Sequence, residues 1–183
     1  MNVLYIFDFD DTLIDSDAEV KVRHGDGTVT RMSSEKYAKY KELDDDVFDF
    51  SDFDAYPRNA EIIGPVFAEL RSAIASSGPS NVVILTARSN PDPVEFFLKE
   101  NNVAGIDIVA VGTSDPSAKA FYILDRVKND GYDEVVVFED NVKNIRKIRK
   151  VLTDAGTKLQ TNRVRNGRIV DVVREQKTRR LKK

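Results

Sequence analysis

Cysteine is absent from the chain, which excludes disulfides, zinc–thiolate centres and cysteine nucleophiles. Histidine occurs once, at position 24. A histidine-based triad or a multi-histidine metal site is therefore not available, and any chemistry through a phosphorylated histidine would rest on that residue alone. His24 lies in His24-Gly25-Asp26-Gly27, a composition that predicts an exposed turn rather than a catalytic position, because Gly and Asp dominate turns for steric reasons. Long apolar runs are also missing. None approaches the roughly 18 residues of a membrane span. The first run, Val3 to Phe7, has no basic region before it, so no signal peptide is expected. The expectation is a cytoplasmic protein with no membrane partner.

The 183 residues suit one domain of ordinary size with an insertion, and an apolar share of 41% beside a charged share of 32% suits a globular chain with its own core. The net charge of −3 is unevenly spread. Residues 1–60 hold 7 Lys/Arg against 15 Asp/Glu, whereas residues 141–183 hold 15 against 3. A basic end can mark a nucleic-acid or phosphate-rich partner. The stretch from Arg174 to Lys183 lacks apolar anchors, and the plainer expectation for it is a solvated face and a basic tail.

Strand and helix signals alternate, which predicts an α/β chain: a Rossmann-like three-layer sandwich around a central parallel sheet of about five strands. Val3–Phe7 is the first strand. Gly64-Pro65 opens a helix to about Ser77, with proline at the first helical position, and Val82–Leu85 follows as a buried strand. Asp92-Pro93 is a cap-and-proline signal for a helix through about Asn101. Ile106–Val111 is the third strand, and Asp115-Pro116 repeats the signal for a helix to about Asn129. Val135–Phe138 is the fourth strand. Val142–Leu152 carries Val142, Ile145, Ile148, Val151 and Leu152 on one stripe and Lys/Arg on the other, the pattern of an amphipathic helix. Lys158–Val164 and Arg168–Val172 flank Asn166-Gly167, a strong hairpin signal. The hairpin either finishes the sheet or offers an edge to a partner, and the sequence does not set the oligomeric state.

Residues 14–60 break the alternation. Glu19–Arg23 and Thr28–Met32 flank the Gly25-Asp26-Gly27 turn as a hairpin. Ser34–Leu43 is expected as a short helix capped by Ser34, and Asp44–Asp54 is acidic and dotted with Phe48, Phe50 and Phe53. An insertion placed directly after the first strand would hang over that strand's end as a lid that screens water and selects substrate.

The end of the first strand carries the chemistry. In Phe7-Asp8-Phe9-Asp10-Asp11-Thr12 an apolar run delivers three carboxylates and stops. Like charges this close raise one another's pKa unless a cation sits among them, and the natural partner is a hard divalent ion such as Mg2+, which prefers oxygen ligands. The carboxyl edge of an open α/β sheet is where ligands bind. Later strand ends add to the set. Ile84-Leu85-Thr86-Ala87-Arg88 brings a hydroxyl able to donate to a phosphoryl oxygen and a guanidinium able to meet an anion bidentately. Phe138-Glu139-Asp140-Asn141 brings a second acid pair able to complete the ligand set. Lys119 falls in the first turn of a helix, the wrong end for a cation by the dipole argument, which points to a role against crowded carboxylates and phosphate. Lys128 is its rival, although a plain dipole role explains a lysine near a helix C-terminus.

This set resembles the haloacid dehalogenase superfamily of aspartate-based phosphohydrolases. That family's four motifs are an apolar strand ending Asp-x-Asp-x-Thr, a strand ending in Thr or Ser, a helical Lys, and a strand ending in acids. They are matched here by Asp8 to Thr12, Thr86, Lys119, and Glu139-Asp140, in order and across residues 3 to about 152. The resemblance implies a Mg2+-dependent phosphatase that hydrolyses a phosphate monoester through an aspartyl-phosphate. Asp8 would be the nucleophile and Asp10 the general acid and then base. Thr86 and Lys119 would hold the transferring phosphoryl group. The metal would be bound by the Asp8 side chain, the Asp10 backbone carbonyl, Asp140 and Glu139. Asp11 is the family's variable position and receives no chemical role. The resemblance also makes Glu19–Met32 a flap and leaves at most a small cap from about Ser33 to Asn59, an open site that does not by itself exclude larger substrates.

The substrate expected is a phosphorylated small molecule or nucleotide, with a nucleic-acid end phosphatase as the rival that the basic C-terminal third favours weakly. A phosphomutase on the same scaffold stays open, because water exclusion by the lid decides it. A non-catalytic phosphate- or metal-binding module is the reading from a different class. A phospho-acceptor receiver domain also combines clustered acids, a Thr and a Lys, but its acceptor lies on a later strand than its paired acids.

Overall fold

The structure is a computed structural model that describes residues 2–37 and 39–175. In chain order the strands are β1 (Val3–Phe7), β2 (Ile14–Asp15), β3 (Glu19–Arg23), β4 (Val29–Ser33), β5 (Val47–Asp49), β6 (Glu61–Ile62), β7 (Val82–Thr86), β8 (Asp107–Ala110), β9 (Glu134–Glu139), β10 (Lys158–Arg165) and β11 (Arg168–Glu175). The helices are α1 (Ser34–Tyr37), α2 (Gly64–Ser77), α3 (Asp92–Glu100), α4 (Pro116–Asp130) and α5 (Val142–Asp154). None of the described helices is long and apolar enough to cross a membrane.

The central sheet has six strands in the order β11-β10-β9-β1-β7-β8. The parallel sheet of about five strands is thus corrected to a mixed one. β10 lies parallel to β9, and β11 returns antiparallel at the edge. The hairpin finishes the sheet because Asn166 and Gly167 both adopt positive φ (49° and 70°), the twist a two-residue turn needs to match its strands. Strand residues alternate between two cores. Phe7, Val82, Ile84, Val136 and Phe138 face α2 and α3, whereas Leu4, Ile6, Val83, Leu85, Val135 and Val137 face α4 and α5. Strands β1, β7 and β9 can be almost wholly apolar because both their faces are covered. The arrangement is an α/β fold compatible with a Rossmann-like one.

Chain order leaves β1 towards β7 and β8 on one side and returns to β9 and β10 on the other. The reversal falls between β1 and β9, which opens a crevice at their carboxyl ends.

The insertion is pinned at its base, where β2 pairs with β6 (Ile14 opposite Ile62, Asp15 opposite Glu61). Beyond that base, β4, β3 and β5 form a small sheet over Val20, Val22 and Met32. Four expectations of local structure are corrected here. The helix expected over Ser34–Leu43 stops at Tyr37. Ser34 does not cap it, because its hydroxyl donates to Asp11, while the Ser33 hydroxyl accepts the Lys36 N–H. Asp92 is the first residue of α3 rather than its cap; its N–H is received by the Asn90 side chain. His24 is not a free turn residue either. Its Nδ1 lies 2.7 Å from Asp46 and its Nε2 2.8 Å from Thr30, bonds that tie the hairpin to the acidic segment. Arg174 and Glu175 belong to β11, and the remainder of the basic tail, 176–183, lies outside the described residues.

Candidate active site

The crevice gathers the ends of β1, β7 and β9 with the first turn of α4. Asp8 leaves β1 still in register, its N–H donating to the Phe138 carbonyl at 3.0 Å. The chain then tightens around Phe9, whose carbonyl accepts from the N–H groups of Leu13 and Ile14, and Asp11 takes a left-handed φ of 57°. That turn sends the three carboxylates in different directions.

Asp8 points to Lys119. The buried Lys119 ammonium lies 2.8 Å from an Asp8 oxygen and 2.8 Å from a Glu139 oxygen. The other Glu139 oxygen accepts from the Asn141 N–H and the Asn144 side-chain amide, both at 3.1 Å. Asp140 stands beside them, 3.5 Å from the Thr12 hydroxyl. One carboxylate oxygen from each of Asp8, Glu139 and Asp140 lies within 4.8 Å of the others. Lys128 is exposed at the far end of α4, so the lysine of the site is Lys119.

One ammonium does not neutralise this cluster. Burial, then the Glu139 charge, pushes Asp8 up to about 7 against the pull of Lys119. Burial followed by Glu139, Asp8 and Asp11 holds Asp140 well above the carboxylate range. Burial also raises Asp11, to about 6, with Asp10, Asp8 and Asp15 adding to the effect and the Ser34 hydrogen bond opposing it. For Lys119, burial favours loss of the proton, but Asp8 and Glu139 overcome it and the net shift is upward. The cluster lacks positive charge, and its donors are all oxygen. Both properties fit a hard divalent cation such as Mg2+. Asp8 and Asp140 are the better-placed ligands, since three donors already engage Glu139.

Thr86, almost fully buried at the end of β7, accepts the Arg88 N–H at 3.2 Å, which leaves its own proton for an acceptor in the cleft. Thus Asp8, Thr86, Lys119, Glu139 and Asp140 are brought together as the sequence predicts. Asp10 is not. Its carboxylate turns away from the acid cluster to Arg88, which grips it from Nε at 2.8 Å and from a terminal nitrogen at 2.7 Å. The other terminal nitrogen of Arg88 donates to the carbonyls of Phe53 (2.7 Å) and Ala55 (2.9 Å), and the guanidinium lies over the Phe9 ring at 5.1 Å. The expectation that Arg88 meets a substrate anion is therefore corrected for this conformation. The anion it meets bidentately is Asp10, and all but one of its N–H donors are used.

The insertion spans the crevice. On one side Arg88 holds Phe53 and Ala55, and the Ser89 hydroxyl donates to Asp54 at 2.5 Å. On the other side Tyr37 shares a hydrogen bond with Ser114. Between them lies a cleft of about 750 Å3, floored by Asp8, Thr86 and Lys119.

Sequence reasoning missed Asn144, although a polar residue amid the apolar stripe of α5 was a readable signal. It had no access to the carbonyls of Phe53 and Ala55, which carry no side-chain signature. Comparison with protein-family models, curated proteins and solved structures returns no match for the chain.

Proposed function

We propose that the chain is a Mg2+-dependent phosphatase of the haloacid dehalogenase type, acting on a phosphate monoester through Asp8. The observation that carries this reading is the Lys119 ammonium held between Asp8 and Glu139, with Asp140 beside them, at the sheet's switch point. A structural ion pair would need one acid; three acids around one buried cation leave a deficit of positive charge.

In this reading an Asp8 oxygen attacks phosphorus as the bond to the leaving oxygen breaks, and an aspartyl-phosphate forms. Asp8 and Asp140, with Glu139 beside them, would hold the ion, whose chemistry is to offset charge between the carboxylate and the phosphoryl group. Lys119 supplies fixed positive charge at the same place, and Thr86 donates to a phosphoryl oxygen. Asp10 gives the leaving oxygen its proton. It then takes one from the water that attacks phosphorus, which frees Asp8 and releases phosphate. To carry a proton Asp10 must release an oxygen from Arg88, so the grip seen here belongs to a resting arrangement. The same grip supports the rival reading of a phosphate-binding module without turnover.

One experiment separates the two. Phosphate release from an aryl phosphate by the purified chain is expected with Mg2+ and not with chelator. Asp8→Asn is expected to lower it at least about a thousandfold, about 4 kcal/mol of barrier. Asp10→Asn is expected to let a phosphorylated chain accumulate, visible as a mass increase. Unchanged turnover in Asp8→Asn would overturn the assignment, and inactivity across a broad phosphate panel would favour the module.

A further inference from the structure

The half of the cleft away from the acid cluster is walled by the insertion, and its wall is aromatic. Tyr37, Tyr40, Phe50 and Phe53 line it. Tyr37 meets Phe50 edge to face with centroids 5.3 Å apart, and Phe48 stacks behind Phe50 at 6.2 Å, so the rings are braced against one another. Phe50 nevertheless keeps 39% of its surface exposed beside the cleft. The loop before α4 brings the Thr113 hydroxyl to the same cleft and meets the wall through the hydrogen bond between Ser114 and Tyr37. A braced aromatic wall facing small polar groups is a place where a flat ring stacks and has its edge hydrogen-bonded.

Charge narrows the choice. Eight carboxylates and three cationic side chains line the cleft, so one divalent ion would leave it negative. Two of those cations are already paired, Arg88 with Asp10 and Lys119 with Asp8 and Glu139. Among the described residues that line the cleft, Lys143 alone remains for a second anion, whereas Glu42 and Asp54 stand on the aromatic side. Of the basic residues further along α5, Arg146 is exposed and does not line the cleft, and the other three are engaged. Lys147 covers the Phe121 ring, Arg149 holds Thr161 and Lys150 pairs with Asp154. A chain of phosphodiesters finds little to hold it.

We infer that the insertion selects the leaving group: a phosphate monoester whose alcohol carries one flat ring and no further phosphate, the chemistry of a nucleoside monophosphate. The inference rests on the phosphatase reading above.

The test compares three substrates of the full chain with Mg2+. Adenosine 5′-monophosphate and ribose 5-phosphate share one leaving alcohol with and without the ring, and a 5′-phosphorylated oligonucleotide adds backbone charge. Stacking of one base predicts a kcat/KM ratio of the first to the second of about 5 to 150. Phe50→Ala and Tyr37→Ala should each draw that ratio towards unity, and the oligonucleotide should be the poorest of the three. Binding of the first two to Asp8→Asn protein, measured by calorimetry, should show the same preference. Equal, Asp8-dependent turnover of the first two overturns the inference alone, as does preference for the oligonucleotide. Ring-dependent binding with no turnover of any phosphate overturns the phosphatase reading instead.

Discussion

Arg88 shows how one side chain fastens two parts of the molecule. Its buried fork joins Asp10, at the end of β1, to two carbonyls of the insertion. Replacing it with methionine keeps much of the volume but leaves a carboxylate and two carbonyls without donors. Breaking a buried pair from one side costs about 3–5 kcal/mol, and urea denaturation of Arg88→Met should read a loss of that order. Arg88→Lys restores the charge but not the planar fork, so it should recover only part of the loss. If the two variants are equally unstable, charge is not what matters at this position. If neither is destabilised, the fork does not hold the insertion. No sequence pattern could identify these partners. Thr86 and Arg88 are visible because they end an apolar run, but the acceptor of the guanidinium lies 78 positions away and two of its contacts are main-chain atoms.

The elements differ in how plainly the sequence announces them. β1, β7 and β9 stand out as unbroken apolar runs because both their faces are buried, and the acids and hydroxyl that follow them are legible for the same reason. The insertion is less legible because polar contacts between distant segments hold it more than periodicity does. Ser34 looks like a cap but bonds Asp11, and the segment after Tyr37 is shaped by Asp46, not by helix propensity. Asp46 accepts from His24 Nδ1 (2.7 Å), the Tyr40 hydroxyl (2.7 Å) and the Leu43 N–H (2.9 Å). Asp46→Ala would leave three donors without this partner, a modest loss where water can replace the carboxylate. The insertion rests on its own small core and is joined to the sheet through a two-stranded base. The loss should therefore stay local. Limited proteolysis and hydrogen exchange should report faster opening between residues 39 and 55, while global unfolding moves little. Unchanged protection there would mean that Asp46 is not the organiser of this segment.

At the scale of the whole molecule, the acid cluster makes stability depend jointly on pH and on a divalent cation. Asp8 is held at about 7 and Asp11 at about 6, and Asp140 is also raised, chiefly by burial. Below pH ~4 these groups are protonated whether the chain is folded or not, and they cost the fold nothing. As pH climbs from there, the unfolded chain releases its protons first, because its carboxyls titrate near their ordinary values. Folding is then opposed increasingly, until the native Asp8 itself ionises near 7. The metal-free protein should therefore lose stability between pH ~4 and ~7, and the Asp8 shift alone puts the loss at a few kcal/mol. A bound cation offsets much of the charge on Asp8, Glu139 and Asp140 and should reduce this loss, with stabilisation of about 2.7 kcal/mol at a hundredfold excess over Kd. Thermal unfolding with and without Mg2+ should give curves that nearly meet at pH 4 and separate by pH 8. Asp8→Asn makes the argument specific to the cluster. It removes one of the charges that burial and Glu139 resist, so at pH 8 the metal-free variant should unfold no earlier than the parent and respond less to Mg2+. Parallel curves for parent and variant at every pH would place the ion, and the origin of the pH dependence, somewhere other than between β1 and β9.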